Sequence, residues 1–220
     1  MHIRSTLRSL AELYRTCQVA GVPFLATSYW YLRRRRQGVN LLAHPSARIK
    51  GARNIETRRG RLDLLLSCGP LDGEGVTRMD VRGCLRVNGD AGLGRGCLVE
   101  INQGATVELG HGSFINSRSQ LVIHHGLRIG SGCAISWECQ FLDEDFHTLI
   151  YEGQRKPDRN DIVVGDRVWI GSRVSVYKGT VIPSGCIVAS NSVVKGVFTE
   201  ENALLAGNPA RVVKRNVVWK

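Results

Sequence analysis

Stepping through the sequence from Val164 in sixes, every step lands on a β-branched aliphatic: Val164, Ile170, Val176, Ile182, Val188 and Val194. The blocks read VGDRVW, IGSRVS, VYKGTV, IPSGCI and VASNSV. Ladders of the same spacing run through Ile129, Ile135 and Phe141, through Leu109, Ile115 and Leu121, and through Val81, Val87, Leu93 and Val99. A period of six fits neither an amphipathic helix nor simple strand alternation. It fits an all-β solenoid, a parallel β-helix with one hexad per flat face and each coil stacked on the last. The first aliphatic of each hexad fills the axis, and small offsets between the ladders imply insertions at corners.

The fifth hexad position is small. It holds Cys97, Ser113, Ser119, Cys133, Cys139, Val168, Val174, Thr180, Cys186 and Ser192. Four of the seven cysteines therefore occupy a site that wants a compact, partly apolar side chain, and they read as core filler. An odd cysteine count without a CxxC pair speaks against a disulfide framework and for a reducing compartment. The core positions of the cysteines speak against a covalent acyl-cysteine intermediate.

The chain divides into three parts. Residues 1–40 form an N-terminal helical, arginine-rich segment in which RSTLRSLAELYRTC carries apolar residues near three-and-four spacing and RRRR follows at 33–36. Residues 41–199 form the β-helix domain. Its opening stretch, 41–80, is irregular or made of early-coil strands with a turn at GPLDGEG (69–75), and a loop at 143–162 is thrown out of the ladder. Residues 200–220 form a C-terminal cap, because the last coil needs a cover. No run of 18 or more apolar residues exists. The apolar stretch VAGVPFLATSYWYL (19–32) is too short to span a bilayer and lacks a cleavage-like end.

Charge is lopsided. Residues 1–61 hold 13 Arg and Lys against Glu12 and Glu56, and 13 − 2 = 11 is the whole net charge of +11. A nucleic-acid binder basic throughout is not expected. One basic end can meet an anionic membrane surface, a lipid head group or a phosphorylated substrate, or serve as a solvated connector.

Within the ladder, FLDEDFHTL (141–149) breaks the pattern with three carboxylates and a histidine in five residues. A neutral imidazole is suited to take a proton from a hydroxyl, which is a poor nucleophile at neutral pH. A carboxylate can hold that ring in one tautomer; Asp145, Asp143 and Glu138 are the candidates. Glu144 and Asp161 read as solvated surface.

The hexads, VWIGSRV (168–174), ASNSVVKG (189–196) and AGNPARVVKR (206–215) together resemble the hexapeptide-repeat acyltransferases, with ISWECQFLDEDFHTL (135–149) similar to the active-site segment of those that O-acetylate sugars of surface polysaccharides. The resemblance covers roughly residues 81–215. It implies a left-handed β-helix, a homotrimer with active sites between subunits, and acetyl-CoA as cosubstrate. His147 matches the general base, with Asp145 beside it as a second catalytic residue. Asp143, Glu138 and Trp137 match acceptor-binding positions. On the acetyl-CoA side the matching residues are Trp169, Gly171, Ala189, Ser190, Lys195, Gly207, Asn208, Pro209, Arg211 and Lys214. One departure from the family pattern is that Lys195 comes one place early and Gly196 fills the slot where relatives often carry a phosphate-binding lysine. The implied reaction is direct attack by a sugar hydroxyl on the thioester, in the cytoplasm or at the inner face of the membrane, with a glycan or small-molecule acceptor and no nucleic acid.

Three other readings stand beside it. An amino-sugar nucleotide could be the acceptor, giving N-acetylation. A non-catalytic β-helix could bind a glycan as a scaffold. A γ-type carbonic anhydrase would need three histidine ligands; with His111 and His147 as the first two, Glu152 stands where the third is required. Adjacent His124 and His125 would point to opposite faces of a strand. No metal site is expected.

Overall fold

The computed structural model describes residues 2–66, 75–148, 150–152, 154–155 and 161–220. Most of the 69–75 turn and residues 149, 153 and 156–160 of the extruded loop lie outside the described residues.

From Leu41 to Gly207 the chain visits three parallel sheets in rotation, so each turn of the chain lays one strand on each face of a prism. The first face runs through Leu41–Leu42, Leu62–Leu66, Ala91–Gly94, Ser113–Ile115, Ala134–Ile135, Trp169–Ile170, Ile187–Val188 and Leu204–Gly207. The second carries Arg48–Lys50, Arg78–Val81, Leu98–Ile101, Gln120–Ile123, Gln140–Leu142, Ser175–Tyr177 and Val193–Val194. The third carries Ile55–Arg58, Cys84–Asn88, Thr106–Gly110, Gly126–Ile129, Ile162–Val164 and Val181–Ile182. This is the parallel β-helix that the period of six requires. Residues 41–66, read above as irregular or early-coil, already supply strands to all three faces.

The hexad aliphatics stack rung on rung. Leu93, Ile115, Ile135, Ile170, Val188 and Leu205 are register partners up the first face, and all are buried. Burial of this continuous column is the main stabilising term, since a single coil cannot bury its own apolar face. The four fifth-position cysteines are buried as core filler. Burial pushes the Cys97 and Cys139 thiols up to about 11. A thiol so raised holds almost no thiolate near neutrality and is a poor nucleophile.

Corner residues also stack. Arg118, Glu138, Arg173 and Asn191 succeed one another between the first and second faces, each with a left-handed backbone near φ 60°. Their side chains link coil to coil: Arg118 Nη2 lies 2.9 Å from Glu138, and Arg173 Nε donates to Asn191 Oδ1 at 2.8 Å.

Helix α1 (His2–Val19) and helix α2 (Phe24–Arg36) form a hairpin under the first coil. Leu13, Cys17 and Val22 pack on Leu42 and Leu65. Pro23 starts α2 and Gly38, at φ 83°, ends it, with the Gln37 and Gly38 N–H groups donating to Arg34 and Arg35 carbonyls. Four arginines fill its last turn, where the helix dipole favours cations.

At the other end the ladder runs past residue 199 to Leu205. The strand Leu204–Gly207 then turns back on Ala210–Lys214, the antiparallel pairing that ends the parallel stack. The tail is tied down by Val217 N–H to the Asn202 carbonyl and by Trp219 Nε1–H to the Arg167 carbonyl (2.8 and 2.9 Å).

Candidate active site

The extruded loop leaves the prism after Gln140–Leu142, and its acids serve as anchors. Asp143 has no exposed surface, and its carboxylate accepts the backbone N–H groups of His124, His125 and Gly126 at 2.7, 2.8 and 2.9 Å. Those donors belong to the turn of the coil below. Asp143 is therefore a structural carboxylate, and the expectations that it binds the acceptor or orients His147 are corrected. Such charge-assisted bonds are stronger than neutral ones, and they hold the root of the loop.

Glu144 is a further anchor, against the expectation of a solvated acid. One oxygen meets His125 Nε2 at 2.8 Å, and the other accepts the N–H of Asp145 at 2.8 Å. The hydrogen bond from His125 is the main reason its carboxyl is held below the usual range. Asp145 reaches upward to Lys178 Nζ, 2.9 Å away in the next coil. The expected bond from Asp145 to the His147 ring is not formed. Phe146, at φ 60°, lays its ring edge-on to His124, centroids 4.9 Å apart. Asn102 Nδ2 lies 3.0 Å from His124 Nδ1, within hydrogen-bond reach. The three acids thus fasten the loop below, beside and above. His147 is left exposed beyond them, with no hydrogen bond to its ring among the described residues.

The remaining acceptor candidates lie at the other end of the second face. Glu138 is engaged by Arg118 at 2.9 Å and approached by Arg173 at 3.9 Å, which corrects its reading as a partner for His147. With Gln120, Gln140 and Ser175 these residues line an open cavity of about 440 Å³. Trp137 is half-buried with its Nε1 enclosed and without a partner among the described residues. Asn116, one coil below, has a buried Oδ1 with no partner among the described residues. The sequence reading missed Asn116, because an asparagine at a coil corner carries no signal of its own. The corner at Glu138 and the strand Gln140–Leu142 lie between Trp137 and Asp143.

The acetyl-CoA candidates gather near that same corner and at the C-terminal end. Trp169 faces outward on the first face, 41% exposed, with Nε1–H 3.4 Å from Ser136 Oγ. Trp219, also missed from sequence, brings its ring to 6.3 Å from Trp169. Gly171 is required by close approach: a Cβ there would lie 2.7 Å from the Ser190 nitrogen. The Ala189 N–H is used by the ladder, bonding the Leu205 carbonyl, and Ser190 Oγ accepts the Ser172 N–H. Gly207, Asn208 and Pro209 form the turn of the terminal hairpin, and the Gly207 N–H reaches Ser192 Oγ. Arg211 and Lys214 follow on the exposed strand, and Lys195 is exposed at the end of the second face.

Residues 161–196 match the family model described as bacterial transferase hexapeptide (six repeats). Over 206 residues the chain is 35% identical to an uncharacterised 24.8 kDa protein in the cps region of Klebsiella pneumoniae, covering 93% of this chain and 90% of that one. The chain belongs to the hexapeptide-repeat acetyltransferases. This family member is also 43% identical over 61 residues to the putative lipopolysaccharide biosynthesis O-acetyl transferase WbbJ of Escherichia coli K12. That match spans 28% of the chain and 31% of WbbJ. Among solved structures, the polysialic acid O-acetyltransferase OatWY shares the fold at a TM-score of 0.59 and 19% identity, over 82% of this chain and 86% of that one.

Proposed function

We propose that this acetyltransferase moves an acetyl group from acetyl-CoA to a hydroxyl of a surface polysaccharide or its precursor. The observation that carries the reading is His147, which follows three loop acids, Asp143, Glu144 and Asp145, that are engaged elsewhere in anchoring the loop. The loop breaks a ladder that a purely structural solenoid would keep. Relatives named as O-acetyltransferases of bacterial glycans support the acceptor class.

His147 takes the hydroxyl proton as the oxygen attacks the acetyl carbon. As the tetrahedral centre collapses, the C–S bond breaks and the imidazolium returns the proton to the departing thiolate. Such base catalysis contributes about 10²- to 10⁴-fold. The residues around the Trp169 corner and at the C-terminal end suit a CoA thioester. Two neighbouring indoles offer flat contact to its pantetheine arm, and Lys195, Arg211 and Lys214 offer cations to its phosphates.

We infer a homotrimer of left-handed β-helices. Within one chain the His147 loop leaves the far end of the strand Gln140–Leu142, while Trp137 precedes its near end and Trp169 lies on the first face, so on this reading a neighbouring subunit completes the site. Buried, unpaired thiols suit a cytoplasmic setting, at the inner face of the membrane. The test is calorimetric titration with acetyl-CoA, followed by thiol release with hydroxyl- and amine-bearing sugars. Micromolar to sub-millimolar binding near one site per chain is expected. No binding by the folded oligomer at millimolar ligand overturns the reading and leaves a glycan-binding scaffold.

A further inference from the structure

The amino-terminal hairpin has two apolar sides, and packing accounts for only one. On α2, Phe24, Thr27 and Tyr31 face α1 and the first coil. Roughly opposite them, Leu25 (81% exposed), Tyr29 (60%) and Leu32 (49%) line up with Arg33 and Arg36 at helical spacing. Trp30 borders this stripe, with the Arg33 and Arg34 guanidinium carbons 5.2 and 5.8 Å from its ring centroid. Tyr14 and Val19 add exposed apolar surface on α1. The Nη1 of Arg34 is buried without an acceptor among the described residues.

The first coil continues the same character. Arg48, Lys50, Arg53 and Arg59 are exposed on it, and α2 packs on its first strand, Leu41–Leu42. The chain's entire net charge falls in residues 1–61, which fold together at this end of the prism. Exposed leucines and aromatics flanked by arginines suit the boundary of a bilayer. There the apolar groups enter the acyl region, the rings lie among the head groups, and guanidinium groups reach lipid phosphates. A second copy of the chain is a poorer occupant, because it would bring the same arginines against these.

We propose that the outer side of α2 and the basic first coil form a docking surface for an anionic phospholipid bilayer. The helix lies in the interface and does not cross it, since no described helix is long and apolar enough to span a membrane. The proposal gives physical content to the membrane setting above but stands on the hairpin alone, independent of the acetyl-transfer reading.

The test is sedimentation of the full chain with phosphatidylglycerol–phosphatidylcholine vesicles and with phosphatidylcholine vesicles. The parent is expected to pellet with the anionic vesicles only, with release as salt is raised. Replacing Arg33 and Arg36 by Ser is expected to weaken partitioning about thirtyfold. A Leu25→Ser, Tyr29→Ser, Leu32→Ser variant is expected to lose it by a similar factor while keeping the parent's oligomer size in light scattering. Failure of the parent to pellet, equal pelleting with both vesicles, or oligomer dissociation in the triple variant overturns the proposal. Titration with acetyl-CoA on the same samples keeps the two readings apart: loss of CoA binding with vesicle binding intact counts against the enzyme alone.

Discussion

From Ile162 upward the coils are short and their inner residues recur every six positions, whereas below Ile135 the strands are longer and successive register partners lie further apart in sequence. The charges differ as well. Beyond residue 61 the remaining 17 basic residues (30 − 13) balance 17 acids (19 − 2), whereas the hairpin and first coil hold the whole excess. The family model matches the short coils at 161–196. The comparison shows that repetition of sequence marks where corners are tight, not where the solenoid begins. A tight corner admits few residue types, so the hexad signal is sharp there. A longer corner keeps the same parallel register and the same buried column with a blurred signal.

The sharpest way to break this contrast is to cut the column in each half. Phe141→Ala removes a fully buried ring beneath the loop and is expected to cost about 3–5 kcal/mol, and Leu85→Ala in the lower coils about 2–5 kcal/mol. If the column is one cooperative unit, urea unfolding followed by tryptophan fluorescence and by circular dichroism will coincide in both variants. Separate transitions would divide the prism into two units.

Asp143→Ala comes next. It strips three part-buried N–H groups of their charged acceptor, with an expected loss of about 2–3 kcal/mol in urea melts. Asp143→Asn keeps one acceptor oxygen and should lose less, about 1–3 kcal/mol. Both should slow acetyl transfer by loosening the loop root, and equal stability of parent and Asp143→Ala would contradict the anchoring role.

The smallest expected effect is on pH. The folded-state pKa of Glu144 lies below its unfolded value, so its contribution is present above the ordinary glutamate range and is lost as pH falls through the lowered value. His125→Gln should shrink that acid-side loss only slightly, because the pair is partly exposed. A large shift in the acid midpoint would mean the pair holds the loop more firmly than its exposure allows.

The fold class was legible because aliphatics at Val164, Ile170 and Val176 must face one axis, whatever the corners do. His147 stood out for the same reason, as a break in that order. The work of the acids around it was not legible. Asp143 finds His124, His125 and Gly126 in the coil below, and Asp145 finds Lys178 in the coil above. Only the stacking of coils makes those residues neighbours; local spacing groups the acids with His147 instead. Glu138 misled likewise, since its partners Arg118 and Arg173 lie one coil below and one above. Trp219 escaped notice because it lies in the tail beyond the ladder, and only the folding back of that tail brings it to Arg167.

The central claim is that His147, placed by anchoring acids and not paired with them, takes the acceptor's proton. Its most direct test is the acetyl-transfer rate of His147→Ala against the parent, with acetyl-CoA affinity measured on both. The expected result is a rate lower by about 10²- to 10⁴-fold with acetyl-CoA affinity unchanged. A variant that keeps the parent's rate would contradict the claim, as would a folded parent that neither binds acetyl-CoA nor releases its thiol.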